Sequence, residues 1–74
     1  MIKPIIECIP NFSEARRPEV IDDIIETIAK VDGVWVLDTH SDIDHNRTVV
    51  TFVGSPEGVE VAAFNAISRA STLI

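Results

Sequence analysis

The stretch GVWVLDTHSDIDHNRTVVTFVGSPEG, residues 33–58, decides the fold of this 74-residue chain. It contains two apolar runs rich in β-branched residues, Val34–Leu37 and Thr48–Val53, on either side of a polar segment, Asp38–Asn46. Runs of this kind, bounded by glycine and polar residues, are typical of β-strands. After the second run, Ser55-Pro56-Glu57 supplies the cap, the proline and the acid that mark a helix start. The stretch therefore predicts a strand, a loop, a strand that ends at a glycine, and a helix.

The residues before this stretch predict one further strand and one further helix. Ile5–Ile9 is a short isoleucine-rich run closed by Pro10, and Asn11–Arg17 is predicted to be a turn. Pro18 suits the first position of a helix, and acidic residues follow it near the positive end of the helix dipole. The apolar residues of this helix have the i, i+4, i+8 spacing of one buried face: Val20, Ile21, Ile24, Ile25, Ile28 and Val31. Gly33 is predicted to end the helix in a left-handed conformation.

The predicted order of elements is β-α-β-β-α, in a single domain that covers residues 1–74. This order places the chain in the α+β class, as a ferredoxin-like unit that lacks its last strand, with a mixed or antiparallel sheet and two helices on one face. Val34–Leu37 is apolar on both of its alternating sides, whereas a sheet with water on one face alternates. We therefore expect the second face to be covered, either by the remainder of a longer protein or by a second copy in a dimer.

The last helix, predicted to run to about Ile74, also indicates that this chain is part of a larger assembly. A helical wheel predicts one core-facing stripe: Val59, Ala62, Ala63, Ala66, Ile67, Ala70, Leu73 and Ile74. Val61 and Phe64 fall outside this stripe among polar residues. They are either isolated exposed side chains, which are common, or part of a docking surface.

Composition excludes several classes of protein. The chain is 46% hydrophobic with a formal charge of −6, too apolar and too weakly charged for a disordered segment. No stretch approaches the roughly 20 apolar residues of a membrane span. The sequence has six basic residues and no basic stripe, so nucleic acid is not expected as a partner. Cys8 is the single cysteine and the N-terminus lacks signal-peptide architecture, which predicts a cytoplasmic protein.

A dense polar cluster, residues 38–47, lies between the two central strands. A substrate-binding loop and a plain solvated hairpin loop both fit its composition. An EF-hand is excluded, because Arg47 stands where the loop needs glycine. A transition-metal site on His40, Asp42 and His45 has suitable donors, but their spacing matches no strong zinc signature, so no metal is expected.

Three residues near the first strand have more than one interpretation. Cys8 is predicted to be a small buried hydrophobe, since nothing near it in sequence would lower its pKa. Glu7 either faces solvent at a strand edge or points into an interface. Asn11 either holds its own turn or presents its amide to a ligand.

Several motifs resemble one known family. Glu7–Glu14 (ECIPNFSE), His45–Val49 (HNRTV) and Thr51–Gly54 (TFVG) closely resemble the N-terminal region of glutamate formiminotransferases, and Ala63–Ala66 is similar to that family's second helix. The resemblance runs over all 74 residues. It implies a transferase that moves a formimino group from N-formimino-L-glutamate to tetrahydrofolate in histidine degradation. Folate would lie between the sheets of two stacked subdomains.

The resemblance also implies which residues line the ligand site. They are Asn11, Asp38, His40, Asn46 and Arg47. Animal bifunctional members have an Asp-x-Asp pair where this chain has Asp38 and His40, so a role for the second acid does not carry over. The family's catalytic histidine belongs to a His-Pro-Arg-type segment after the second helix, so no catalytic residue is assigned here. The 74 residues alone are not expected to be active.

Two alternatives remain. The chain could be a non-catalytic relative that binds folate or a protein partner through Val61, Phe64 and the second sheet face. It could also be a metal-dependent hydrolase built on the His40–His45 cluster.

Overall fold

Four strands and two helices follow one another along the chain in the computed structural model, which describes residues 4–74. The elements are β1 (Ile6–Cys8), β2 (Asn11–Phe12), α1 (Pro18–Ala29), β3 (Val34–Asp42), β4 (Arg47–Gly54) and α2 (Pro56–Leu73). The antiparallel sheet and the two helices confirm the predicted α+β, ferredoxin-like arrangement. Neither helix in this part of the chain is long and apolar enough to cross a membrane.

Strand β4 is the centre of the sheet. β1 and β2 pair with it antiparallel on one side and β3 pairs with it antiparallel on the other. β1 and β2 follow one line along β4, and between them the carbonyl of Pro10 accepts a hydrogen bond from the amide of Val50 at 3.2 Å. The prediction that Asn11 and Phe12 belong to a turn was therefore wrong. Proline cannot donate to the ladder, so it interrupts the pairing without turning the chain away.

Strand β3 is more than twice as long as predicted. It continues through the polar segment to Asp42, whereas a loop was predicted from Asp38 onwards. The registered partners of this extension run from Asp38 opposite Thr51 to Asp42 opposite Arg47. Backbone pairing with β4 outweighs the low strand propensity of aspartate, serine and histidine, because these side chains need not be buried.

Both helices pack on one face of the sheet and form the core with it. β4 alternates strictly, with Thr48, Val50, Phe52 and Gly54 buried. The core cluster consists of Phe12, Val20, Ile24, Ile28, Val34, Val50, Phe52, Val59, Ala62 and Ala66.

The helix boundaries confirm the predicted start signals. α1 begins at Pro18, and in α2 the Ser55 hydroxyl accepts a hydrogen bond from the amide of Gly58 at 3.1 Å. Gly33 has a φ of 79°, the left-handed conformation predicted after α1. Val61 and Phe64 are exposed as predicted, but Ile67 and Ile74 were wrongly placed in the core stripe and are 63% and 50% exposed.

Candidate functional site

The face of the sheet turned away from the helices, here called the open face, has no covering element among residues 4–74. Directly paired residues of neighbouring strands share a face, so the register identifies its members. Four cross-strand rows lie on it: Glu7, Val53 and Trp35; Thr51 and Asp38; Asn11, Val49 and His40; Arg47 and Asp42.

A β-bulge at Leu37 decides which residues of β3 reach the open face. The register shifts between Val36, which pairs with Phe52, and Asp38, which pairs with Thr51. Strict alternation from the buried Val34 would have pointed Asp38 and His40 at the helices. The extra residue resets the alternation, as a bulge does, and places both side chains on the open face.

The open face has an apolar end and a polar end. Trp35 and Leu37 are 63% and 60% exposed at the apolar end. Asn11, His40 and Arg47 are exposed towards the β3–β4 hairpin, and Asp38 lies between the two ends. An aromatic plane beside hydrogen-bond donors and a carboxylate is suited to a flat, polar-edged organic molecule.

The hairpin tip is organised around Asp42. Its Oδ1 accepts hydrogen bonds from the amides of Asp44 and His45 at 3.1 and 3.3 Å, and its Oδ2 lies 2.7 Å from Nδ1 of His45. The hydrogen bond from the His45 side chain lowers the pKa of Asp42 below its ordinary value. Residues 4–74 contain no group of three or more metal-binding side chains.

Asn46 occupies a different position from the other predicted site residues. It ends the hairpin loop with a φ of 51°, a left-handed conformation that asparagine tolerates. Its Oδ1 accepts hydrogen bonds from the amides of Ala15 and Arg16 at 2.8 and 3.2 Å. The structure therefore brings four of the five predicted residues to the open face and turns the amide oxygen of Asn46 towards the segment before α1.

Glu14 is a buried carboxylate that the sequence did not single out. It is 4% exposed, its Oε2 accepts from the amides of Arg16 and Arg17, and its Oε1 accepts from Nε of Arg17 at 2.7 Å. The hydrogen bond from the Arg17 side chain is the main cause that lowers the pKa of Glu14. The arginine three residues later was the available signal, since i, i+3 ion pairs are common.

Thr48 joins the same region through its hydroxyl. It is fully buried, donates to the carbonyl of Glu14 at 2.5 Å, and its Oγ1 lies 2.9 Å from Oγ of Ser41. We call Glu14, Arg16, Asn46 and Thr48 the hairpin clamp, because together they tie the segment before α1 to the β3–β4 hairpin.

Thr48→Val is expected to lower the free energy of unfolding by about 2 kcal/mol. Valine has the same shape but leaves the buried Glu14 carbonyl without its donor. Urea unfolding followed by circular dichroism measures the change. Ser41→Ala is the control, since Ser41 is an exposed residue and its loss leaves the Thr48 hydroxyl bonded to Glu14, and a loss as large as that of Thr48→Val would contradict this assignment.

Acid is expected to destabilise the protein through Glu14. A carboxyl group with a lowered pKa in the folded state stabilises the fold above its ordinary pKa of 4.5. That contribution disappears as the pH falls through the lower folded-state pKa. Thermal unfolding measured at decreasing pH should show Tm falling more steeply for the wild type than for Glu14→Gln, which has no charge to lose. Parallel curves would contradict the prediction.

Glu7 and Cys8 lie next to each other on β1 and point to opposite faces of the sheet. Glu7 is exposed on the open face of the edge strand β1. Cys8, predicted to be a small buried hydrophobe, packs against the core but is only half-buried.

Trp35 is the open-face residue that the sequence analysis missed as a site candidate. Its position between the buried Val34 and the half-buried Val36 was the signal, because a strand alternates its sides. Its open-face neighbours Glu7 and Val53 come from distant parts of the sequence. The residues next to Trp35 in sequence therefore do not predict them.

The fold and the site together define an α+β subdomain of the ferredoxin-like class with a candidate small-molecule face. Residues 5–74 match the family described as formiminotransferase domain, N-terminal subdomain, and the chain belongs to this family.

Curated relatives support this assignment. The chain is 46% identical over 67 residues to a glutamate formimidoyltransferase of Streptococcus pyogenes serotype M1, covering 90% of the chain and 22% of that protein. It is 49% identical over 70 residues to a formimidoyltransferase-cyclodeaminase of Sus scrofa, covering 95% of the chain and 13% of that protein. A glutamate formimidoyltransferase of Thermoplasma acidophilum is 43% identical over 70 residues, which are 95% of the chain and 23% of that protein. The chain thus spans less than a quarter of the length of these relatives.

Proposed function

We propose that this chain forms one wall of the folate site of a glutamate formimidoyltransferase. The enzyme would transfer a formimino group from N-formimino-L-glutamate to tetrahydrofolate. The observation that carries the proposal is the open face, where Trp35, Asp38, His40 and Asn11 stand together on an uncovered sheet of a formiminotransferase subdomain.

The chemistry of the reaction explains the side chains on this face. A nitrogen of the folate attacks the amidine carbon, so positive charge is held at a tetrahedral centre while a base removes the amine proton. A carboxylate stabilises such a centre, and Asp38 supplies one on the open face. Trp35 offers a flat surface for a ring system to stack on.

Both substrates carry carboxylates, and a chain with a charge of −6 repels anions at long range. A local cation must therefore reverse the field at the site. Within residues 4–74, Arg17 and Arg69 are held in ion pairs with carboxylates, whereas Arg47 is exposed on the open face and takes part in none. We assign Arg47 to the substrate carboxylates, and the general base to a residue outside this chain.

Trp35 allows a direct binding test, because it is the only tryptophan and the chain has no tyrosine. Tetrahydrofolate, kept reduced, should quench the fluorescence of the purified chain with a saturable titration curve. Asp38→Asn and His40→Ala should each raise Kd about tenfold, which corresponds to about 1.4 kcal/mol. Asp22→Asn, an exposed aspartate on α1, is the matched control and should bind like the wild type.

Two results would overturn parts of the proposal. Quenching that stays linear, as with free N-acetyltryptophanamide, would remove the folate site from the open face. Sustained turnover by the 74-residue chain, supplied with formiminoglutamate and tetrahydrofolate, would show that a general base lies within it.

The exposed side chains of α2 favour protein interaction as a second candidate function. Val61, Phe64 and Ile67 are 49%, 72% and 63% exposed. Sedimentation of the chain alone should show a defined complex if this surface mediates self-association. A monomer that binds no folate would exclude both a dimer and a folate-binding relative.

A further inference from the structure

We propose that Asn46 and Arg16 are positioning residues, which fix the hairpin end of the open face from the opposite side of the sheet. This role differs from direct ligand contact, and it rests on the proposed function for the identity of the ligand. Its consequence is that substitutions in the hairpin clamp change ligand affinity without removing any group that touches the ligand.

Arg16 contacts the hairpin tip from the helix side of the sheet. Its guanidinium donates from Nε to the carbonyl of Ile43 at 3.2 Å and from Nη2 to the carbonyl of Asp44 at 3.4 Å. It lines a groove of about 640 Å³ on the helix side of the sheet, together with Ile21, Ile25, Thr39 and Ser41. Thr39 and Ser41 pair with the fully buried Val50 and Thr48, which locates this groove on the face opposite the open face. Arg16 thus holds the hairpin tip from behind.

Several hydrogen bonds converge on the four-residue loop of the β3–β4 hairpin. Asn46 accepts from two amides of the segment before α1, and Arg16 donates to two carbonyls of the loop. At the start of β4, the hydroxyl of Thr48 donates a further hydrogen bond to the carbonyl of Glu14. Glu14 in turn holds the amides of Arg16 and Arg17. A hairpin tip with so many cross-links has one position relative to the sheet, whereas an untied tip would sample several.

The same loop determines where two basic side chains lie. His45 and Arg47 flank Asn46 directly in sequence. Asp42, which orients the His45 ring at 2.7 Å, pairs across the strands with Arg47. A shift of the tip therefore moves His45 in the loop and Arg47 at the polar end of the open face. Misplacement of a binding group by about 1 Å is enough to weaken its contribution substantially.

The test compares Arg16→Ala with Lys30→Ala in the tetrahydrofolate titration. Both variants remove one exposed positive charge, so the net charge of the chain changes equally. Arg16→Ala is expected to raise Kd about tenfold, whereas Lys30→Ala should stay close to the wild type. Arg16→Lys keeps the charge and one donor and should be intermediate, and it replaces the alanine variant if that variant does not fold. Equal binding by the Arg16 and Lys30 variants would overturn the proposal.

Asn46 provides a second, independent arm. Asn46→Gly keeps the left-handed backbone but loses the acceptor, so the amide of Ala15 should exchange with deuterium at least tenfold faster and Kd should rise. Asn46→Asp keeps an acceptor oxygen and should preserve the slow exchange, so it is the control for the exchange measurement. If Asn46→Gly lost affinity while the exchange of Ala15 stayed slow, Asn46 would contact the ligand directly and the positioning role would be wrong.

The two readouts separate this proposal from the function on which it rests. A wild-type chain that does not bind tetrahydrofolate would overturn the proposed function, yet the exchange rate of the Ala15 amide would still test the clamp. Unchanged exchange in Asn46→Gly would overturn the clamp even if tetrahydrofolate binds normally.

Discussion

Phe52→Ala is expected to remove most of the protein's free energy of unfolding. Phe52 is fully buried on the central strand β4, in the layer between the sheet and both helices. Removing a buried phenylalanine ring costs about 4 kcal/mol, from lost transfer free energy and the cavity left behind. A domain of this size has a total stability near the lower end of the usual range, about 5 kcal/mol. Circular dichroism and urea unfolding would measure the loss.

Phe64→Ala is the matched control, because it removes the same ring from an exposed position. Phe64 is 72% exposed on α2, so its truncation should change the free energy of unfolding by less than about 0.5 kcal/mol. If the two variants were equally stable, the assignment of the core to the helix side of β4 would be wrong. If Phe64→Ala proved the more damaging, α2 would pack with its other face against the sheet.

Gly54→Ala is expected to have the second-largest effect. Gly54 ends β4 between Ile6 of β1 and Val34 of β3. A Cβ atom there would overlap the carbonyl oxygen of Gly33 and would lie 3.1 Å from Cα of Val34. Because the obstacles are backbone atoms of the turn before β3, relief requires separating the strands. We expect a loss of about 3 kcal/mol, the upper end of typical overpacking penalties, measured by urea unfolding.

Gly33→Ala tests the neighbouring glycine for a different reason. Its added Cβ would lie 3.4 Å from the Ser55 hydroxyl, which is ordinary contact, but its φ of 79° is unfavourable for alanine. The expected loss is about 1 kcal/mol. Gly33→Asn, which tolerates this conformation better, should recover part of it. A Gly54→Ala variant milder than Gly33→Ala would mean that the strand end opens without resistance.

Local signals predicted the helices well and the strands less well. Pro18 and Pro56 start their helices because a first-turn position lacks a partner for the amide anyway, which is a property of a few adjacent residues. The extension of β3 to Asp42 depends instead on pairing with β4, a contact that the polar segment's own composition disfavours. Asn11 and Phe12 were missed for the same reason, because their partners Val49 and Thr48 lie far along the chain.

The candidate site was predictable by residue type and only partly by placement. Family motifs pointed to Asn11, Asp38, His40 and Arg47, and the register places all four on one face. The bulge at Leu37 turns Asp38 and His40 to this face. It cannot be recognised from the helical or alternating spacing of apolar residues in the sequence. The contacts of Asn46 are hydrogen bonds to a segment about thirty residues away, which no local pattern encodes.

The central place of β4 has a consequence for how the protein is made. During synthesis β1 leaves the ribosome before β4, because its partner residues, such as Phe52 opposite Cys8, are made dozens of residues later. In that interval the nascent chain presents an unsatisfied, aggregation-prone edge. Pro10 interrupts this edge just after Ile9, and a proline at that point blocks intermolecular pairing of longer segments. Because proline cannot donate to a ladder, Pro10 limits the length of continuous strand with which another chain could pair before β4 is made.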